Sequence, residues 1–390
     1  MLLTAVRALR FDGDCSQALA AIPSAKCPAF LALCDEAHIS LALAARCGDI
    51  APAELRSRLA RNAVRHERIL AAHHEIASAM QAHRVEFLVL KGLTHSGLWN
   101  DAAKHRPQYD IDLYVPPPMA DAAVGALESL GYKVCEEESR GSDHLPVMVR
   151  RTGWRWRGNY FDPDQPLAAE VHFRFCNLSL GFEAPGVGKF WERRRIAEFD
   201  GVRLPALHPA DALHYACWHL VRHLLRGGLR ILHVYELAFF LDRSSSDNAF
   251  WDEWGNAGVA EGIAFRLAFE WFGCRLHRVA QEGARSLPAD VERWFRLFAF
   301  SPIHAITRPN KDEVFLQLCL ARNRAAERLL PKRLPGFWLD AHDRDENLVL
   351  RLRRRLGRAR FIASRAVHHA RTLAPLIGSG VRWWWWRLPQ

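Results

Sequence analysis

The fold is decided by residues 87–115, which read FLVLKGLTHSGLWNDAAKHRPQYDIDLYV. The apolar run 85–90 is typical of a buried strand, and Lys91-Gly92 at its end indicates a turn. Polar and apolar residues then alternate from Tyr109 to Val115, which predicts a second strand. Pro116 to Pro118 end that strand because proline cannot donate to a β-ladder. The stretch therefore predicts the centre of a small sheet.

Two carboxylates share one face of the second predicted strand. Side chains two residues apart on a strand point the same way, so Asp110 and Asp112 project together while Ile111 and Leu113 face the apolar side. Adjacent carboxylates repel each other unless a cation lies between them, and Mg²⁺ prefers carboxylate oxygens. Glu170 supplies a third acid on a predicted neighbouring strand. For the D-x-D pair alone, an acidic edge strand remains an open alternative.

Helical patterns surround this sheet. Residues 55–80 carry a stripe at spacings of three and four, which predicts one long helix. Three polar members of the stripe suggest that part of it faces a cleft or solvent, although neutral His satisfied within a core is the more common case. Those members are Asn62, His66 and His73. Downstream, the pattern predicts a helix over 119–130, a strand over 132–134, an antiparallel strand pair at 145–151 and 168–175, and helices over 210–226, 229–242, 258–281 and 312–330.

We therefore predict an α+β fold, in which a small mixed β-sheet core with the order β-α-β-α-β-β-β is inserted between largely α-helical regions. Four regions are expected: an N-terminal helical region at 1–84, the α/β core at 85–205, a second helical region at 206–345, and a basic tail rich in Arg and Trp at 346–390. Residues 351–390 of this tail carry the whole net charge of +10, since they contain ten Arg, no Lys and no acid.

Composition indicates a globular protein in a reducing compartment. The hydrophobic content is 49% and the charged content 25%, as in ordinary soluble domains. The nine Cys are scattered without a C-x-x-C pair, so neither a disulfide framework nor a zinc knuckle is expected. The N-terminus does not read as a secretory signal, and no apolar run approaches the length of a membrane span. We expect a cytoplasmic protein, either soluble or peripherally bound to a membrane.

In their order and spacing these motifs resemble the nucleotidyltransferase-fold superfamily that includes DNA polymerase β. More narrowly, they resemble the uncharacterised bacterial nucleotidyltransferases with an LKG…R…DIDL pattern. The resemblance covers roughly residues 60–245. It implies that Asp110, Asp112 and Glu170 are catalytic ligands of Mg²⁺ or Mn²⁺, and that Lys91-Gly92 forms the turn that binds the phosphates of an NTP. Here the chain departs from the Gly-Ser or Gly-Gly of most of the superfamily.

Further residues receive predicted roles around this centre. Thr94 and Ser96 are candidate phosphate-binding hydroxyls, and Arg106 matches the Arg of the narrower pattern, with a solvated loop arginine as its alternative. His172 shares the Glu170 face and could orient an acceptor or a metal-bound water, although a supporting or structural histidine is favoured. His219 and His223 have helical i,i+4 spacing, but without an H-E-x-x-H acid a supporting role is favoured over zinc ligation. The resemblance implies that their helix, with Arg230 and Glu236, closes over the nucleotide or the acceptor, and a plain packed helix is an equal alternative.

The sequence thus predicts a Mg²⁺-dependent enzyme that transfers a nucleoside monophosphate from an NTP to a small molecule, peptide or other acceptor and releases pyrophosphate. Two alternatives stay open: a non-catalytic nucleotide-binding protein, and a toxin-like nucleotidyltransferase that acts on RNA. For the tail, the alternatives are a helix packed on the protein, peripheral membrane binding through Arg and Trp, and, less favoured, nucleic-acid binding.

Overall fold

The computed structural model describes residues 1–135, 143–175, 187–321 and 348–385. Five helices precede the sheet: α1 (Leu2–Ala8), α2 (Cys15–Ala20), α3 (Cys27–Glu36), α4 (Ser40–Cys47) and α5 (Ala53–Ala82). The sheet region contains β1 (Leu88–Val89), β2 (Asp110–Tyr114), α6 (Ala120–Ser129), β3 (Tyr132–Val134), β4 (Met148–Arg150), β5 (Ala168–His172), α7 (Gly188–Glu192), β6 (Arg195–Phe199) and β7 (Val202–Ala206).

Helices follow to the end of the described chain. They are α8 (Pro209–Leu225), α9 (Ile231–Arg243), α10 (Asn248–Trp254), α11 (Val259–Phe272), α12 (Arg278–Arg285), α13 (Ala289–Phe298), α14 (Ser301–Ala305), α15 (Glu313–Ala321) and α16 (Leu348–Trp385). The predicted α+β class is confirmed, with one mixed sheet of seven strands among the described residues and helices around it.

The sheet has the strand order β3-β4-β5-β2-β1-β7-β6. Strand β2 pairs in parallel with β5 and antiparallel with β1, so it lies in the middle of the sheet. The apolar residues of these strands, among them Ile111 and Leu113, pack with Ile76 of α5 and Leu127 of α6 in one buried core. One face of the sheet is therefore closed by helices, and the alternating polar side chains of β2 and β5 lie on the other face.

Several expected elements differ in extent. The run 85–90 forms a ladder only at Leu88–Val89, because the Val85 amide instead donates to the Met80 carbonyl and completes the end of α5. The α-helix expected after Lys91-Gly92 is absent, since this described segment forms only the short 3₁₀ turns Gly92–His95 and Ala103–His105. The expected helix 258–281 is two helices, since Gly273 adopts a left-handed conformation with φ of +61° and ends α11. Residues 322–330 of the expected helix 312–330 lie outside the described residues.

The hairpin β6–β7 was not predicted, although its turn carries a strong local signal. Phe199 pairs with Val202, and the two residues between them, Asp200 and Gly201, have φ of +47° and +82°. Positive φ at both positions is typical of the two-residue hairpin turn that favours Asp-Gly. Strand β7 then pairs in parallel with β1 and extends the sheet beyond the predicted strands.

The polar members of the α5 stripe do not face a cleft or solvent, and the alternative of satisfied side chains within a core is confirmed. Asn62, His66 and His73 are all buried. The Asn62 amide donates to the Lys104 carbonyl at 2.7 Å, and a ring nitrogen of His73 lies 2.8 Å from the Ile69 carbonyl. Each of these buried side chains thus has at least one polar partner, a backbone carbonyl for Asn62 and for His73 and the Asp200 carboxylate for His66.

Two compact units account for the described residues. The first contains residues 1–135, 143–175, 187–221 and 230–287, and the second contains residues 222–229, 288–321 and 348–385. The predicted boundaries at 84/85 and 205/206 thus fall inside the first unit. A disulfide joins Cys15 and Cys47, contrary to expectation, because the start of α2 and the end of α4 bring their Cα atoms to 5.8 Å.

No single helix among the described residues is long and apolar enough to cross a bilayer. The helical segments Ser24–Glu36 and Ser40–Ile50 have the length and composition of a span only when taken together, across a bend of 114°.

Candidate active site

The parallel pairing of β2 with β5 brings the predicted acids together. Asp112 lies directly opposite Glu170 in the ladder, with Asp110 opposite Ala168. Paired residues of neighbouring strands project on the same face, so the three carboxylates share one side of the sheet. Because β2 is an interior strand, the alternative of an acidic edge strand is wrong.

Two basic side chains lie among these acids. The Lys91 ammonium is 3.3 Å from one oxygen of Asp112, and His172 Nε2 is 3.2 Å from the other. The same His172 nitrogen lies 3.5 Å from a Glu170 oxygen. We call Lys91, Asp110, Asp112, Glu170 and His172 the acidic cluster. It holds three carboxylates against one lysine and one histidine.

The pKa shifts follow from this crowding. Burial lowers the pKa of Lys91, but the Asp112 and Asp110 carboxylates outweigh burial and raise it above its ordinary value. Burial also opposes the charged form of His172, yet hydrogen bonds to Asp112 and Glu170 raise its pKa to about 9. For Asp112, burial raises the pKa, but Lys91 and His172 prevail and lower it. Asp110 has its pKa raised, first by burial and then by the Asp112 carboxylate, and the positive charges of Lys91 and Arg106 do not outweigh these effects, so its ionised form is disfavoured.

The donor set fits a divalent cation. One ligand atom each from Asp112, Glu170 and His172 lie within 4.8 Å of one another, and this is the one group of three or more such residues found in the described part of the chain. Carboxylate oxygens suit Mg²⁺ and Mn²⁺, whereas imidazole is a ligand more typical of Zn²⁺ and other transition metals. Asp110, a predicted ligand, lies on the same strand face but outside this group. His172, for which a supporting or structural role was favoured, contributes an atom to it.

The Lys91-Gly92 turn is shaped by close packing against the strand. Gly92 has φ of +81°, and a Cβ there would lie 2.7 Å from Gln108 Nε2. That Gln108 nitrogen donates to the Asp110 carbonyl at 2.9 Å, so the turn and the acid-bearing strand are held together. Only glycine accepts both the left-handed backbone and the short approach. The half-buried Lys91 points at Asp112 from this turn.

The two candidate hydroxyls differ in their surroundings. Thr94 is half-buried within the 3₁₀ turn that follows Lys91. The Ser96 hydroxyl donates to an Asp200 oxygen at 3.3 Å, and the other Asp200 oxygen lies 2.8 Å from His66 Nε2. Ser96 is thus engaged with the β6–β7 turn.

Arg106 is buried, not a solvated loop arginine, and its charge is balanced within the protein. Its Nε lies 2.7 Å from Oε1 of Glu236 on α9, and His95 Nδ1 is 3.5 Å from the same oxygen. Burial disfavours the Glu236 carboxylate, but Arg106 and His95 lower its pKa to about 2. We call Arg106, Glu236 and His95 the ion-pair cluster. The phosphate contact expected of Arg106 and the closing role expected of Glu236 both stay predictions.

The remaining candidates lie on α8 and at the start of α9. Arg230 is exposed at the N-cap of α9. The pKa of His38 is lowered to about 4, mainly by burial of the ring and then by the positive charge of Arg230. His219 belongs to the first unit, where its ring lies 5.0 Å from that of His233, and His223 belongs to the second unit. Neither His219 nor His223 joins a group of potential metal ligands among the described residues.

A positioning residue that sequence reasoning missed is Arg65 of α5. Its buried guanidinium donates to the Gln108 carbonyl at 2.9 Å and to the carbonyls of Asp162 and Gln165, each at 2.8 Å. It therefore fixes the segment that enters β2 and the segment that leads into β5. The available signal was Arg65 beside Asn62 and His66 on an otherwise apolar helix stripe.

Comparison with models of protein families identifies the family of this chain. A model described as "uncharacterised nucleotidyltransferase" matches residues 23–273, and the acidic cluster lies inside this range. The chain therefore belongs to this nucleotidyltransferase family. Searches of curated proteins and of solved structures returned no match.

Proposed function

We propose that the protein is a divalent-metal-dependent nucleotidyltransferase, which transfers a nucleoside monophosphate from an NTP to a hydroxyl or phosphate oxygen of an acceptor. In this reaction the acceptor oxygen forms a bond to the α-phosphorus, the bond to the β-phosphate oxygen breaks, and pyrophosphate leaves. The observation that supports it most directly is the register of β2 and β5, which sets Asp112 opposite Glu170 on the face that also carries Asp110.

The residues of the acidic cluster would divide the work. Asp112 and Glu170, with Asp110 beside them, would hold Mg²⁺ or Mn²⁺. Such a cation, when bound, lowers the pKa of an attacking hydroxyl and neutralises charge on the phosphates. Glu170 has 25% of its side chain exposed against 2% for Asp112, which makes it the better placed carboxylate to receive the acceptor proton.

Lys91, at the start of the Lys91-Gly92 turn, supplies positive charge next to these carboxylates. Its ammonium faces Asp112 and its pKa is raised, so it stays protonated at neutral pH. A protonated lysine beside the carboxylates can bind the phosphate oxygens of the NTP and stabilise the developing charge on pyrophosphate. Lys91→Met is expected to lower kcat while metal binding, measured by Mn²⁺ titration, is kept or becomes tighter, because Asp112 loses a competing cation.

The central test removes one carboxylate at a time. Asp112→Asn and Asp110→Asn are each expected to lower the rate of transfer by about a thousandfold or more, because the site loses a negative charge that holds the cation. The matched control is Asp121→Asn, at an exposed aspartate on α6. Transfer is measured with labelled NTPs and total cellular RNA, peptide and lipid fractions as acceptors. Undiminished labelling by Asp112→Asn, where the wild type is active, would refute the proposal.

Isothermal titration calorimetry separates this function from a non-catalytic one. The proposed enzyme should bind NTP in a metal-dependent way and label at least one acceptor fraction. Metal-dependent NTP binding by wild type without labelling of any fraction would instead favour a nucleotide-binding regulatory protein. Labelling confined to RNA would identify the RNA-directed alternative.

A further inference from the structure

The C-terminal helix α16 (Leu348–Trp385) has two different faces. On one, Trp383 is buried, with its ring 5.4 Å from that of Phe315 and 6.2 Å from that of Phe298. Thr372 and Ser379 on the same side are also buried. The expectation that this helix packs on the protein is therefore met for its C-terminal part, within the second unit.

The other face is apolar and open to solvent. Ile362, Leu373 and Trp384 recur every eleven residues, which is close to three helical turns, so they lie on one line along the helix. With Ile377, Val381 and Trp385 they form what we call the α16 stripe, whose members are 57% to 72% exposed. A soluble helix normally turns such residues inward, and a continuous exposed apolar surface marks an interaction site.

Arginines follow the border of this stripe. Arg360, Arg371 and Arg382 are exposed and recur at the same interval of eleven residues, which places them on a line beside the stripe. The segment 351–390 contains ten Arg and no acid, so no carboxylate of its own neutralises this charge. The surface therefore combines an apolar strip with one sign of charge.

We propose that the α16 stripe lies on an anionic lipid bilayer, with its aliphatic and tryptophan side chains at the headgroup boundary and its arginines against the negative headgroups. An amphipathic helix with tryptophans and a basic border has the side chains that binding to an anionic bilayer requires. A second copy of the chain would bring ten arginines against ten. Nucleic acid would satisfy the arginines but leave the aliphatic strip in water.

The test uses the full chain and vesicle flotation. The vesicles contain phosphatidylcholine with about one third phosphatidylserine, and pure phosphatidylcholine serves as the neutral comparison. Ile377→Glu with Val381→Glu places two acids in the stripe, where both side chains are exposed, so folding is unaffected. The matched control makes the same two changes at exposed positions outside α16, Ile196→Glu with Val64→Glu.

Wild type and the control are expected to float with anionic vesicles and not with neutral ones. The stripe variant is expected to bind about tenfold more weakly or worse, because it loses apolar burial and gains charge repulsion. Equal flotation of stripe variant and control, or no flotation of wild type, would overturn the proposal. The proposal would also be overturned if the wild type formed dimers that the stripe variant converts to monomers. The same holds if the wild type bound a labelled oligonucleotide more tightly than anionic vesicles and the stripe variant retained that binding. Circular dichroism of each variant confirms that the chain is folded.

Discussion

The acidic cluster, which is partly buried, and the ion-pair cluster, which is fully buried, lie in the same compact unit, yet they balance their charges differently. The ion-pair cluster sets one carboxylate, Glu236, against Arg106 at 2.7 Å. The acidic cluster sets three carboxylates against Lys91 and His172, and Asp110 keeps a raised pKa. A balanced buried pair is complete by itself, whereas a buried surplus of acid destabilises the fold unless a cation joins it. The first arrangement balances its charge without a ligand, and the second is suited to binding a cation.

The largest expected effect breaks the balanced cluster. Glu236→Gln leaves the buried Arg106 guanidinium without a counter-charge, so the free energy of unfolding should fall by about 3–5 kcal/mol. Urea denaturation measures the change. The matched control is Glu270→Gln, which breaks a half-exposed i,i+4 pair with Arg266 and should cost less than about 0.5 kcal/mol. Equal losses in the free energy of unfolding for the two variants would mean that the buried pair contributes no more to stability than the exposed pair.

The pH dependence of the same pair is the next largest effect. The pKa of Glu236 is lowered from 4.5 to about 2, so its stabilising contribution is complete above pH 4.5 and is lost as the pH falls through 2. Linkage makes that contribution about 3 kcal/mol. The difference in unfolding free energy between wild type and Glu236→Gln should therefore narrow from pH 5 towards pH 2. A difference that stays constant over this range would contradict the assigned shift.

A smaller effect distinguishes the turn that supports the acidic cluster. Gly92 and Gly97 have almost the same backbone, with φ of +81° and +79°, but only Gly92 has neighbours where a Cβ would be. Gly97→Ala should cost about 1 kcal/mol for the left-handed conformation. Gly92→Ala should cost about 1–3 kcal/mol more, because the methyl group displaces Gln108 from the Asp110 carbonyl. Similar unfolding free energies for the two variants would show that this contact is unimportant.

The smallest expected change in stability belongs to the surplus acid. Asp110→Asn removes a carboxylate whose ionised form is disfavoured by burial and by Asp112. The metal-free variant should therefore be as stable as the wild type or more stable, while transfer is lost, a pattern typical of functional residues. Thermal denaturation in EDTA provides the measurement. A clear loss of stability would assign Asp110 to the structural class of Glu236.

Periodicity and local order carried the sequence predictions that were confirmed. Alternation around Asp110 and Asp112 predicted β2, and the three-and-four spacing of 55–80 predicted α5, because these patterns record which face of an element is buried. The sequence also indicated that Glu170 could share this acidic face, because polar and apolar residues alternate in β5 as they do in β2. The Asp-Gly signal of the β6–β7 turn was equally local and was overlooked.

The burial of Arg106 was decided by tertiary structure, because its partner Glu236 is 130 residues away and no local pattern specifies that pairing. The same holds for Arg65, which reaches backbone carbonyls near Gln108 and near Asp162. Side-chain type and spacing thus determined which elements form and which carboxylates share a face. Only the packed chain decided which charges neutralise one another and which are left over for a ligand, because Coulomb energies depend on distance through space and on burial.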